Sequence, residues 1–169
     1  MSGGIQSQIY TQPAVGIAGD FCSANPKYAT LAGPGGIVAG PSGLTVGLFA
    51  WLNGFADGDG APAQASNSGL GPVAGFVPRL QQGLNTTYLS AAGLSIPAGF
   101  EATLASAGDF WVKNGNASLA AFPGMKAYAN FATGVATFAL PATPTTASQT
   151  SATIATGTAA TLFSKVVTV

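Results

Sequence analysis

Asp57-Gly58-Asp59-Gly60 opens like a calcium loop, where alternating carboxylates converge on one hard cation. A complete loop needs more acidic or amide ligands and closes on a bidentate Glu, but Ser68 stands at the closing position. The reading is a solvated turn. Gly33, Gly35, Gly36 and Gly40 have the flavour of a phosphate cradle, yet no Gly-Lys-Ser/Thr follows and the G-x-G-x-x-G spacing is not met. Outside the loop the carboxylates are Asp20, Glu101 and Asp109, and an acid-base pair among them has only Lys for a basic partner. Surface or turn roles are expected for all three. The chain has no His and one Cys, Cys22, which removes His-dependent proton transfer, Cys-His nucleophiles and the common zinc and iron ligand sets. Asn85-Thr86-Thr87 and Asn116-Ala117-Ser118 match glycosylation acceptors, a modification that matters only in a secreted eukaryotic chain. Trp51, Trp111, Phe49, Phe110, Tyr128 and Phe131 invite a carbohydrate platform, but aromatics inside strands more often fill a core or a subunit interface. The expectation is no catalytic residue, no cofactor-binding residue, no metal ligand, no cofactor, and no enzyme.

The elements that position these residues are shaped by scarce charge. Charged side chains make 6 % of the 169 residues, against roughly 25 % in an ordinary soluble domain. Five basic and five acidic residues cancel, so no basic face exists for nucleic acid or an anionic membrane. The stretch between Lys27 and Asp57 is uncharged, but Gly33, Pro34, Gly35, Gly36, Gly40, Pro41 and Gly43 break any apolar helix that would span a bilayer. MSGGIQSQIYTQ has neither a basic segment nor an apolar one, so no secretory signal is expected, and a single Cys, Cys22, with no second Cys for an internal disulfide suits synthesis in the cytoplasm. A surface with so little charge favours association, which predicts extensive cover by partners.

Ala is abundant but interleaved with Gly, Pro, Thr and Ser, which predicts a β-rich chain with many turns. Residues 1–43 carry two Gly/Pro clusters and no periodicity, and read as an extended arm. LTVGLFAWLN (44–53) reads as one buried strand, and residues 54–72 as a surface loop. Short apolar runs then alternate with Gly and Pro about every 8 to 12 residues, as in all-β sandwiches and barrels. Phe100, Ala102, Leu104 and Ser106 share one side of a half-buried strand, and DFWVKN runs into the turn dipeptide Asn114-Gly115. Two further strands flank Thr133-Gly134, with Met125, Ala127, Ala129 and Phe131 on one face and Lys126, Tyr128 and Asn130 on the other. Residues 141–161 are uncharged and rich in Thr, suited to disorder or to an edge strand, and LFSKVVTV reads as a final strand. AGDF occurs at 18–21 and again at 107–110, read as two similar Gly-Asp turns. The expected organisation is all-β: an arm over 1–43, a small β-barrel or jelly-roll-like core over 44–140, and a Thr-rich extension with a final strand over 141–169.

Residues 12–43, QPAVGIAGDFCSANPKYATLAGPGGIVAGPSG, followed by LTVGLFAW, resemble the cement or decoration proteins of tailed-bacteriophage heads. A second block from Thr87 to Phe138, containing TYLSAAGLSIPAGFEATLASAGDFWVKN and GMKAYANFATGVATF, is similar to the barrel part of those proteins. The resemblance implies a compact β domain on the outer surface of the head, bridging neighbouring major capsid proteins and stabilising the DNA-filled shell without catalysis. The Thr-rich C-terminal stretch departs from the family pattern. The implied partners are the major capsid protein and further copies of the chain, as a dimer or alternatively a trimer; the implied location is the virion. The competing reading is a receptor- or carbohydrate-binding module of a phage fibre or spike.

Overall fold

The computed structural model describes residues 16–53, 60–80, 94–116, 118–139, 157–159 and 165–168. Thirteen strands and no helix occur among them: β1 (Tyr28–Ala29), β2 (Ile37–Ala39), β3 (Leu44–Thr45), β4 (Phe49–Asn53), β5 (Ala63–Ser66), β6 (Gly75–Phe76), β7 (Ser95–Ile96), β8 (Ala105–Ala107), β9 (Asp109–Val112), β10 (Lys126–Asn130), β11 (Ala136–Ala139), β12 (Gly157–Ala159) and β13 (Lys165–Thr168). Six of them form a curled sheet in the order β1-β8-β6-β4-β5-β2, a half-barrel in which only the β2–β5 pair is parallel.

The curl brings the sheet back to itself. Ala39 N–H donates to Phe100 O (2.8 Å), Gly99 N–H to Ala39 O (2.8 Å) and Ala102 N–H to Ile37 O (2.9 Å), so residues 99–102 pair with β2 before the same chain continues into β8. This closure encloses one cluster of buried residues, among them Ile37, Ala39, Ala50, Ala63, Ala65, Val77, Ala102 and Leu104. The short β3–β7 ribbon adds Leu44 and Ile96 to that cluster. Small Ala side chains fill the interior, as a narrow barrel requires.

A second cluster lies on the outer face of the same strands. Along β4, Ala50 belongs to the interior cluster while Phe49 and Trp51 belong to the second, with Phe76, Ala105, Phe110, Val112, Ala129, Ala136 and Phe138. β4 is therefore buried on both faces, which is why its sequence is a continuous apolar run rather than an alternation. Four rings form a row, Phe21 to Phe110 (centroids 4.9 Å apart), Phe110 to Phe76 (4.8 Å) and Phe76 to Phe49 (5.5 Å). Such pairs add about 0.5–1.5 kcal/mol each beyond the area they bury.

The β10–β11 hairpin covers this second cluster. Ala129 is fully buried, and Met125, Ala127 and Phe131 pack on the cluster, so theirs is the inward face of the strand. Asn130 shapes the turn: its side-chain oxygen accepts from Ala132 N–H (2.9 Å) and Thr133 N–H (3.2 Å). Gly134 completes it with φ 68°, and a Cβ at that position would run into the carbonyl oxygen of Phe49. The hairpin thus sits directly against the barrel wall.

The expected single strand over 44–53 is two strands with a corner between them. Gly47 turns the chain at φ 83°, and Asn67 braces the corner by accepting from Thr45 N–H (2.6 Å) and donating to Phe49 O (3.0 Å). Residues 16–43 of the expected arm are among the described residues. β1 and β2 are strands of the main sheet and Ile37 and Ala39 are core, because the branched and small residues of IVA pair with β5 between the Gly/Pro clusters. The remainder of the expected arm, 1–15, lies outside the described residues. So do residue 140 and, in the C-terminal stretch, residues 141–156, 160–164 and 169. Its described parts pair with the body, β12 along β10 and the final strand β13 in parallel with β9.

Candidate functional site

The two AGDF segments lie side by side. Phe21 and Phe110 form an antiparallel bridge, Trp111 N–H donates to Asp20 O (2.9 Å), and Cys22 N–H donates to Asp109 O (3.0 Å). Residues 19–22 thereby form the neighbour of β9 opposite β13. The repeat is a pair of segments matched in space, a relation that reading each as an isolated turn did not anticipate.

Asp109 is 2 % exposed and begins β9, in place of the expected surface or turn role. Its Oδ2 accepts from Ser23 Oγ and Asn25 Nδ2, both at 2.7 Å, and this ties the loop after Phe21 to the start of β9. Lys27 Nζ sits 3.7 Å from the Phe21 ring centroid on the same loop. Burying a carboxyl requires such donors. Replacing it (Asp109→Ala) is expected to cost about 2 kcal/mol in urea unfolding, within the range for losing a buried hydrogen-bond acceptor. It should also speed tryptic cleavage after Lys27 in the otherwise folded protein; unchanged cleavage would mean that the Asp109 bonds do not hold the loop.

The other carboxylates are placed apart from this chemistry. Asp20 forms an exposed ion pair with Arg79 (3.5 Å), and exposed Glu101 lies in the strand pairing with Val38. Among the described residues, no group of three or more His, Cys, Asp or Glu could hold a metal ion. Asp57, Gly58 and Asp59 of the calcium-like loop, Asn85-Thr86-Thr87, and Ala117 of the second acceptor triplet lie outside the described residues. Of the cradle-like glycines, Gly35 abuts the backbone of Gly60 and Ala61 and Gly40 that of Ala65, whereas Gly33 and Gly36 face open space.

The aromatic platform does not form as a surface. Phe49, Trp51 and Phe110 are fully buried in the second cluster, Phe131 packs 5.9 Å from Trp51, and the Trp51 indole N–H donates to Gly71 O (3.1 Å). The Trp111 ring lies against Gly16, and Tyr128 is half-buried on the β10 face opposite Ala129. Among the described residues, Ile17, Tyr28, Leu31, Leu70, Leu80, Leu94 and Phe122 are large apolar side chains left exposed. Among the described residues, no helix is long and apolar enough to cross a membrane.

No curated protein and no solved structure matches the chain. The family described as XM1 gp53 minor capsid protein matches it over residues 5–169. That description is broader than a cement family; it gives a structural protein of the phage capsid, associated with that capsid and located in the virion. A match over nearly all of the 169 residues places the chain in a family of phage structural proteins: it belongs to the XM1 gp53 minor capsid protein family.

Proposed function

We propose that this chain is a cement protein, bound to the outer surface of a tailed-phage head, where it bridges neighbouring major capsid proteins and stabilises the DNA-filled shell. The observation that carries the reading is how its reactive and aromatic groups are used. Asp109 is bonded to Ser23 and Asn25, and Phe49, Trp51 and Phe110 lie inside, while apolar side chains face outward. A minor capsid protein built this way contributes contact surface. The same proposal includes self-association, as a dimer or alternatively a trimer, because a surface so poor in charge has few defences against pairing.

Purified chain added to heads that lack it should bind saturably, in a fixed ratio to the major capsid protein. Moderate sodium chloride should change the affinity little, since exposed ion pairs are worth about 0–1 kcal/mol and are screened by salt. Absence of saturable binding would overturn the reading, and release by moderate salt alone would remove apolar contact as its basis.

A further inference from the structure

Asn114-Gly115 follows β9 and carries a chemistry of its own. In an Asn-Gly pair the Gly backbone nitrogen, once it has lost its proton to base, attacks the Asn side-chain carbonyl carbon, and the missing Cβ leaves that nitrogen unhindered. A C–N bond forms and closes a five-membered succinimide, the Cγ–Nδ2 bond breaks, and the leaving nitrogen takes a proton from solvent and departs as ammonia. Water then opens the ring to Asp or isoaspartate. The chain has two such pairs, Asn53-Gly54 and Asn114-Gly115, and both residues of the second are described.

The atoms that this reaction uses are all engaged in the fold. Gly115 N–H, whose proton must leave, donates to Ala136 O (2.8 Å) beside the parallel bridge between Asn114 and Ala136. Asn114 Nδ2, the leaving group, donates to Leu119 O (2.6 Å). Asn114 Oδ1 accepts from Asn116 N–H (2.9 Å), a bond that draws electrons from Cγ and favours the negative oxygen of the addition step, as a backbone donor does in an oxyanion hole. The side chain is thus activated at its oxygen and held at its nitrogen. Neither residue is readily replaced: a Cβ at Gly115 would run into the Val135 side chain and come within 3.1 Å of Ala136 O, and an Asp at 114 would set a carboxylate, which has no hydrogen to donate, against Leu119 O.

We propose that Asn114 is a latent deamidation site, gated by the docking of Gly115 on β11, with water as co-reactant and ammonia as the product released. While the bond from Gly115 N–H to Ala136 O holds, the nitrogen keeps its proton and its place in the turn. A lift of this turn from β11 frees the nitrogen, and the activating bond from Asn116 N–H is local to the turn and needs no contact with β11. The change runs one way, because the carboxylate it leaves cannot restore the bond to Leu119 O. The inference is independent of the cement reading.

The test incubates the full chain in mildly alkaline buffer, folded and in unfolding urea. Trypsin, cutting after Lys113 and Lys126, releases peptide 114–126, in which fragment masses report conversion of amide to acid at Asn114 separately from Asn116. Conversion in the folded protein should be about tenfold slower or more than in urea, because it waits on local opening. Gly115→Ala, which forces the turn away from Val135, should bring the folded-to-unfolded ratio of rates toward one, although Ala slows the reaction in both states. Should that variant fail to fold, hydrogen exchange of the unaltered protein takes its place: exchange at the Gly115 amide and deamidation of Asn114 should accelerate together as urea is raised below the unfolding midpoint. Equal conversion of folded and unfolded protein overturns the gate, as does a ratio unchanged by Gly115→Ala or deamidation that proceeds while the Gly115 amide stays protected. No conversion at Asn114 in urea, where Asn53 converts, overturns the site itself.

Discussion

Heads assembled without this chain are expected to release their DNA at a lower temperature than heads that carry it, and purified chain added back should restore the difference. The reason is linkage: a ligand that binds only the assembled lattice adds its binding free energy to that state and none to dissociated subunits. At a free concentration a hundredfold above Kd the gain is about 2.7 kcal/mol per site, and it accumulates over every occupied site. DNA packaging itself should proceed as before, since the proposed contribution is contact made with a finished shell. The measurement is DNA release against temperature, and after osmotic shock, for heads with, without and resupplied with the chain. Indistinguishable retention in the three samples would remove the stabilising role.

The second large effect is expected inside the domain. Trp51 is 2 % exposed, stands on a strand buried on both faces and packs between the barrel and Phe131 of the hairpin. Trp51→Ala should lower the unfolding free energy by about 3–5 kcal/mol, the usual cost of emptying a buried aromatic site. Against a total stability of about 5–15 kcal/mol, that leaves a marginal protein. The lost hydrogen bond adds little, because Gly71 is exposed and its carbonyl regains water. Leu70→Ala, in the same turn but outside the core, should cost less than about 0.5 kcal/mol. Urea unfolding of the three proteins decides it; a Trp51→Ala cost below about 1 kcal/mol would show that the barrel and the hairpin are not held together through this ring.

Local signals were the ones that could be read from sequence. The all-β class followed from Gly and Pro punctuation between short apolar runs, and the hairpin around Thr133-Gly134 followed from alternation on both sides of a turn. Phe100, Ala102 and Leu104 do lie together in or against the interior cluster, on the one side their spacing gives them, but Ser106 does not join them and Ala105 of the opposite side is buried in the second cluster. The corner at Gly47 was hidden because Val46 and Phe49 are both buried, one inside the barrel and one outside it, so the apolar run shows no break. Residues 28–39 looked like an arm because β1 and β2 are two and three residues long, too short for a period to show. Asp109 was misplaced for a different reason. Its donors, Ser23 and Asn25, are more than eighty positions away, and nothing beside it in sequence reveals that it is buried. The repeated AGDF carried a signal that was read too locally, since its meaning lies in pairing across the chain rather than in either turn alone.

The most direct test of the central claim is a cryo-electron microscopy map of the virion head in which density for this barrel is located and its copies are counted against the major capsid protein. The account predicts barrels on the outer surface at junctions between capsomers, repeated across the lattice. A few copies confined to a vertex, the tail or a fibre would contradict it.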